Sequence, residues 1–228
     1  MGTVTAKQII DDAVVQLTDL SAVRWTRAEL LSWVNDAQRT IVLNAPNSTN
    51  KVDVMQLVPG TRQNIPADGW TLIELIRYMG TDGTKPGRAI RLASREMIDS
   101  YNPDWHNDAK TLVPKHYIFD QQDQTVFYVY PPSNGNGYVQ LNYSPVPSKL
   151  TDEDEVIGIN DIYQTAILDY VLYRACSKDA EYAPGLQLAA GYLSTFMSAM
   201  QTKQSSETAN SPNQQFGPRN PSVPGAES

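Results

Sequence analysis

The hydrophobic period of this chain changes twice, and that change limits the fold more than any other feature. From Thr5 to Ala45 apolar residues recur at spacings of three and four. From Lys51 to about Lys149 they alternate or cluster with β-branched and aromatic neighbours. After Asp161 the helical spacing returns. A chain ordered this way predicts a helical layer supplied by both ends, with a β insertion between them.

The first segment predicts two helices. Thr5-Ala6-Lys7-Gln8 has capping-box spacing, in which a hydroxyl and a side-chain amide satisfy orphan backbone amides. Ile10, Ala13, Val14 and Leu17 follow at helical offsets. Thr26 and Glu29 form a second box, with Trp25 and Leu30 at the positions of a hydrophobic staple. Leu30, Val34, Ala37 and Ile41 make the buried stripe, and Pro46 stops the helix.

In the middle, KVDVMQLV, WTLIELIRYM and RAIRLA are strand-like, with Pro59-Gly60 and GTDGTKPG as turns. Ser94 is placed to cap a brief helix, SREMIDSY. KHYIFD, TVFYVY and YVQLNYS, separated by DQQDQ and PPSNGNG, predict a β-meander.

Past the acidic link TDEDE, Asp161 is placed to cap a helix with Gln164 at N3. Between Ile162 and Cys176 only Gln164, Thr165, Asp169 and Arg174 are neither apolar nor tyrosine. A helix apolar nearly all round has to be covered on more than one face. Pro184-Gly185 then separates it from a last helix with a stripe of Ala189, Tyr192, Leu193, Phe196 and Met200. The final stretch, 203–228, is rich in Pro, Gly, Ser, Asn and Gln, and only Phe216 and Val223 are large and apolar. Burying both returns roughly 3–6 kcal/mol, against an ordering cost on the order of 26 kcal/mol. Its order therefore has to come from a partner. The expected class is α+β. Residues 1–50 and 156–202 form a helical bundle of two α-hairpins, 51–155 an inserted antiparallel β module, and 203–228 an extended C-terminal arm.

Composition narrows function by exclusion. No apolar run approaches the length of a membrane-spanning helix, and no basic-then-apolar leader opens the sequence. One cysteine, Cys176, and two histidines, His106 and His116, argue against a disulfide framework and a multi-ligand metal centre. With 18 basic and 25 acidic residues the net charge is −7, which does not suit binding that blankets phosphates. No nucleophile elbow, phosphate loop or zinc-helix motif is present. Asp104-Trp105-His106 gathers catalytic residue types, but a tryptophan anchoring a loop accounts for it. Cys176 reads as buried and inert, and Asp152-Glu153-Asp154-Glu155 as a solvated link without calcium-loop spacing. Arg88, Arg91 and Arg95 read as surface or intersubunit salt bridges, with phosphate contact as the other reading. Tyr163, Tyr170, Tyr173, Tyr182 and Tyr192 crowd the C-terminal hairpin, which fits core packing for some and a protein interface for others.

The capped hairpin with W-x-x-x-E-L, GRAIRL, NPDWH, HYIFD, FYVYPP and DYVLYRACSKDAEY, in this order, resembles the head-to-tail adaptor (connector) proteins of tailed bacteriophages. The short-tailed phages are the nearest, and tail tubular protein A is related in architecture. The similarity spans about residues 5 to 200, with no shared pattern beyond Gln201. It implies a non-enzymatic homo-oligomeric ring, usually of twelve copies, under the portal protein. Such a ring extends the DNA channel and docks the tail nozzle protein. Genomic DNA would pass through an acidic lumen without sequence-specific binding. No cofactor, metal or membrane is implied, and the expected place is the virion neck, after assembly in the host cytoplasm. On this reading Tyr163, Tyr170, Tyr173 and Arg174 lie at subunit interfaces, and Phe216, Arg219 and Val223 bind portal. A nozzle or stopper ring lower in the tail is the nearest alternative. A glycan-binding module stacking sugars on Trp70 or Trp105, or a cell-wall hydrolase, is the alternative of another class.

Overall fold

The computed structural model describes residues 2–119, 122–178 and 183–209, with 183, 184 and 204–209 described by backbone alone. Helix α1 (Ala6–Gln16) and helix α2 (Arg27–Asn44) both open with complete capping boxes. The Thr5 amide donates to Gln8 Oε1 at 3.0 Å and the Thr26 amide to Glu29 Oε2 at 3.1 Å. Pro46 stands just past α2, at the head of a short 3-10 turn.

Seven strands follow: β1 (Lys51–Gln56), β2 (Gly60–Asn64), β3 (Gly69–Tyr78), β4 (Arg91–Leu92), β5 (His116–Phe119), β6 (Val126–Ser133) and β7 (Tyr138–Pro145). Helix α3 (Arg95–Tyr101) lies between β4 and β5. Ser94 is at its N-cap position, but its side chain makes no capping bond. The strands form two sheets, ordered β1-β7-β3 and β2-β6-β5-β4. Leu72 and Leu75 of β3 and Val139, Leu141 and Tyr143 of β7 share one buried cluster with Tyr117, Phe127 and Val129 of β5 and β6. The sheets therefore pack face to face as a small sandwich.

This corrects the expected meander. β5 and β6 do form an antiparallel pair, but β7 leaves for the other sheet. Both edges of β6 are already occupied, by β5 and by β2, so β7 has no edge to join there. The sequence reading had no strand at β2. Its residues, GTRQN, are polar, and Gly60 opens it at φ +114°, a conformation that favours glycine. β6 also runs through Pro131 and Pro132, read from the sequence as turn. The Pro132 carbonyl accepts from the Thr111 amide at 2.7 Å, so the strand keeps a partner through its carbonyl there.

Helix α4 (Gln164–Lys178) and helix α5 (Ala183–Ala209) complete the bundle. α4 packs against α1, α2 and α5, so within this chain its apolar girth meets three neighbours. Ile9, Ile10, Leu30, Ile41, Ile167 and Phe196 are among the fully buried side chains of this core. Three local readings change. Asn160, not Asp161, caps the turn that leads into α4, accepting from the Ile162 amide at 3.0 Å. Pro184 and Gly185 fall in the first turn of α5, where proline's missing N–H is tolerated. α5 also continues to Ala209, so residues 203–209 are helix where an extended arm is expected. The four prolines of the tail all lie beyond 209, so the entropy argument applies to the second part of that stretch and not to the first.

The link from β7 back to the bundle is stitched to the start of the chain. The Ala6 amide donates to the Glu155 carbonyl and Lys7 to that of Glu153. The Ile157 amide donates to the Val4 carbonyl. Asn35, 5% exposed, accepts from the Leu150 amide and donates to the Leu150 and Leu31 carbonyls. Gln38 accepts from Gly158 at 2.7 Å. Asn35, with both ends of its amide bonded, and Gln38, through its oxygen alone, fix where the sandwich is attached. Trp70 of β3 packs against the helical core, and the Thr49 hydroxyl donates to the Pro145 carbonyl at 2.9 Å.

Candidate assembly surfaces

The Asp-Trp-His group is a packing device. Trp105 is fully buried, stacks on His106 with centroids 3.8 Å apart, and meets Tyr128 and Tyr130 edge-on. Its indole N–H donates to Asp99 Oδ1 at 2.7 Å, closing α3 onto its own loop. His106 Nδ1 lies 2.8 Å from Thr61 Oγ1. The imidazole is thus engaged by a β2 hydroxyl and an indole face. Cys176 is half-buried on α4, more open than its apolar setting implies. Among the described residues, no three His, Cys, Asp or Glu side chains come together as a metal-holding group, and no helix is long and apolar enough to cross a membrane.

The four residues expected at a subunit interface lie on and just before α4, but they are not equivalent. Tyr163 is 3% exposed, with Lys203 over its ring at 5.5 Å, so its area lies inside its own bundle. Tyr170 and Tyr173 are half-buried, 5.8 Å apart edge to face, and Tyr170 also meets Phe196 at 5.4 Å. Arg174 reaches Asp36 of α2 at 4.0 Å, and Arg39 reaches the same carboxylate. Tyr170, Tyr173 and Arg174 thus leave partly open area along one helix. A groove of about 730 Å³ runs between the start of α4 and the later turns of α5, lined by Ile162, Ala166, Thr195, Ala199 and Met200. Tyr182 and the expected portal contacts Phe216, Arg219 and Val223 lie outside the described residues.

The acidic link is ordered by its own bonds. Glu155 Oε1 accepts from the Thr151 hydroxyl and from the Thr151 and Asp152 amides, which hold its carboxyl below the usual range. Arg27 bridges Glu153 and Asp11 at 2.6 and 2.7 Å, and these bonds raise the guanidinium further above its already high value. Asp161 accepts from the Thr3 and Val4 amides and the Thr3 hydroxyl, and those donors depress its pKa. Sequence spacing missed Asp161's partner because it lies 158 residues away.

A family model described as SU10 adaptor protein matches residues 4–216. No curated protein matches the chain. The match runs past Gln201, where the sequence alone showed no shared pattern, so it takes in all of α5 and ends at Phe216. A match over nearly the whole chain, on an α+β fold with its β sandwich inserted between two α-hairpins, settles the kinship: the chain belongs to the SU10 adaptor protein family of structural phage head–tail adaptors.

Proposed function

We propose that the protein is the head-to-tail adaptor of a tailed phage, forming a ring of twelve copies beneath the portal. It lengthens the DNA channel and offers the tail nozzle its docking surface. The family match over residues 4–216 carries this reading. The half-buried Tyr170, Tyr173 and Arg174 support a ring wall built from the helical hairpins, with Tyr163 behind them in the core. Neighbours in such a ring meet through two different faces of the same subunit. The net charge of −7 per copy suits a conduit that lets DNA pass without gripping phosphate. The arm beyond Ala209 reaches portal subunits through Phe216, Arg219 and Val223. Four prolines lower the entropy this arm loses when it orders. Many weak arms on one ring act together as a tight joint. The ring joins the neck of the virion in the host cytoplasm, and the protein turns over no substrate.

Truncation tests this. Full-length protein should sediment alone as a monomer or small oligomer and move with portal when portal is added. A chain ending at residue 209 should stay soluble and helical but fail to join portal. Equal joining by the truncated chain would move the portal contact to the helical hairpins. A soluble glycan bound by the monomer, or cell-wall polymer cleaved by it, would replace the adaptor reading.

A further inference from the structure

The shoulder of the sandwich formed by residues 88–101 combines exposed cations with large exposed apolar side chains. In the bundle, Lys7, Arg27, Arg39, Arg174 and Lys178 each face a carboxylate within 4.0 Å. On the shoulder, Arg88 and Arg91 are exposed and make no ion pair among the described residues. Arg95 lies over the Tyr128 ring at 4.9 Å. Apolar side chains are interleaved with these cations: Leu92, Met97 and Tyr101 are 63, 59 and 87% exposed. Met97 and Tyr101 are four residues apart on α3 and so share one face.

The surface is held rigid from below. Residues 88–90 lie along β3 at the edge of one sheet, while β4 pairs with β5 of the other, so this strap closes the open side of the sandwich. Ile90, Ala93 and Ile98 point inward, and Trp105 fixes α3. Arginine, methionine and tyrosine on a preformed apolar surface are the composition of a protein interface.

We propose that this shoulder docks against residues 152–156 of the next copy in the ring, an inference that rests on the ring reading above. Charge complementarity selects this occupant. Asp152 and Asp154 are exposed, and Val156 beside them is 44% exposed. Around them, Asp11, Glu153 and Glu155 add to the negative charge, which Lys7 and Arg27 offset in part through their ion pairs. Amides of the link hold the Asp152 and Glu155 carboxylates, and Asp154 pairs with Lys7 at 3.6 Å. One subunit thus presents a basic, apolar surface and a separate acidic one, which is what a heterologous closed ring requires. Exposed charge pairs choose partner and register more than they supply affinity.

A charge swap tests it, with full-length chain and portal, reading ring closure by electron microscopy. Arg88→Glu with Arg91→Glu should lower ring yield about tenfold, and so should Asp152→Lys with Asp154→Lys. The four changes together should restore closure. In a Cys176→Ser background, Met97→Cys with Val156→Cys should give a ladder of cross-linked multimers with a bismaleimide. Rings that close normally with either double variant, or a combined variant no better than the doubles, overturn the contact and leave the adaptor reading standing. Salt-dependent binding of duplex DNA, lost with the arginine double variant, would assign the shoulder to a polyanion instead. If the unaltered chain forms no ring on portal, the adaptor reading itself fails and the contact goes with it.

Discussion

Single side chains decide how the two ends of this protein meet. Asp161 holds the Thr3 and Val4 amides, and these bonds lower its pKa. A carboxyl with a depressed folded-state pKa stabilises above its ordinary value, here 3.8, and loses that contribution as pH falls through the lowered one. Protection of the Thr3 and Val4 amides against hydrogen exchange, relative to the intrinsic rate at each pH, should therefore be high at neutral pH, and low both in strong acid and in Asp161→Ala at any pH. Asp169 of α4 is the opposite case. Burial raises its pKa, and its Oδ2 has no hydrogen-bond partner among the described residues. Its ionised form costs stability that returns as pH falls through the raised value. Asp169→Asn should melt higher than the parent at pH 7, with the gap narrowing in acid. Trp105 is fully buried among Ala93, Ile98 and Ile118. Trp105→Ala should cost about 3–5 kcal/mol in urea unfolding. Loss of a catalytic function with the fold and stability intact would contradict its role as an anchor.

At the scale of elements, the helices were legible in the sequence and the sheet topology was not. Both capping boxes and both N-terminal stripes rest on neighbours within one or two turns, and local spacing records those. Strand partners are chosen by which edges are free, which spacing does not record. YVQLNYS reads as a strand in either arrangement, and only the occupied edges of β6 send it across to β1 and β3. The pins between α2 and the returning link were silent for a similar reason. Asn35 and Gln38 interrupt the apolar stripe without showing what they bind 115 and 120 residues away. Asn35→Leu removes a side chain that satisfies the buried amide and carbonyl of Leu150. It should cost about 1–3 kcal/mol despite the added apolar volume, because both backbone groups are left unpaired. An unchanged urea midpoint would show that the link does not depend on this pin.

For the whole molecule, the candidate surfaces were legible where they rest on composition and opaque where they rest on placement. Excess tyrosine in the C-terminal hairpin pointed to interfaces, yet it could not separate Tyr163, inside the core, from Tyr170 and Tyr173 at its margin. The basic tract was visible as three arginines, but not that Arg88 and Arg91 lack acidic partners among the described residues while Arg95 lies over an aromatic ring. Family membership places the protein among the head–tail adaptors, and the proposed subunit folds alone and closes into a ring only on portal. Mass measurement of the intact complex tests that most directly. Full-length chain alone should give 25.3 kDa or a small multiple, and on mixing with portal it should add a complement of twelve chains to each portal ring. Portal that gains no mass, or a stable twelve-subunit ring formed without portal, would contradict the account.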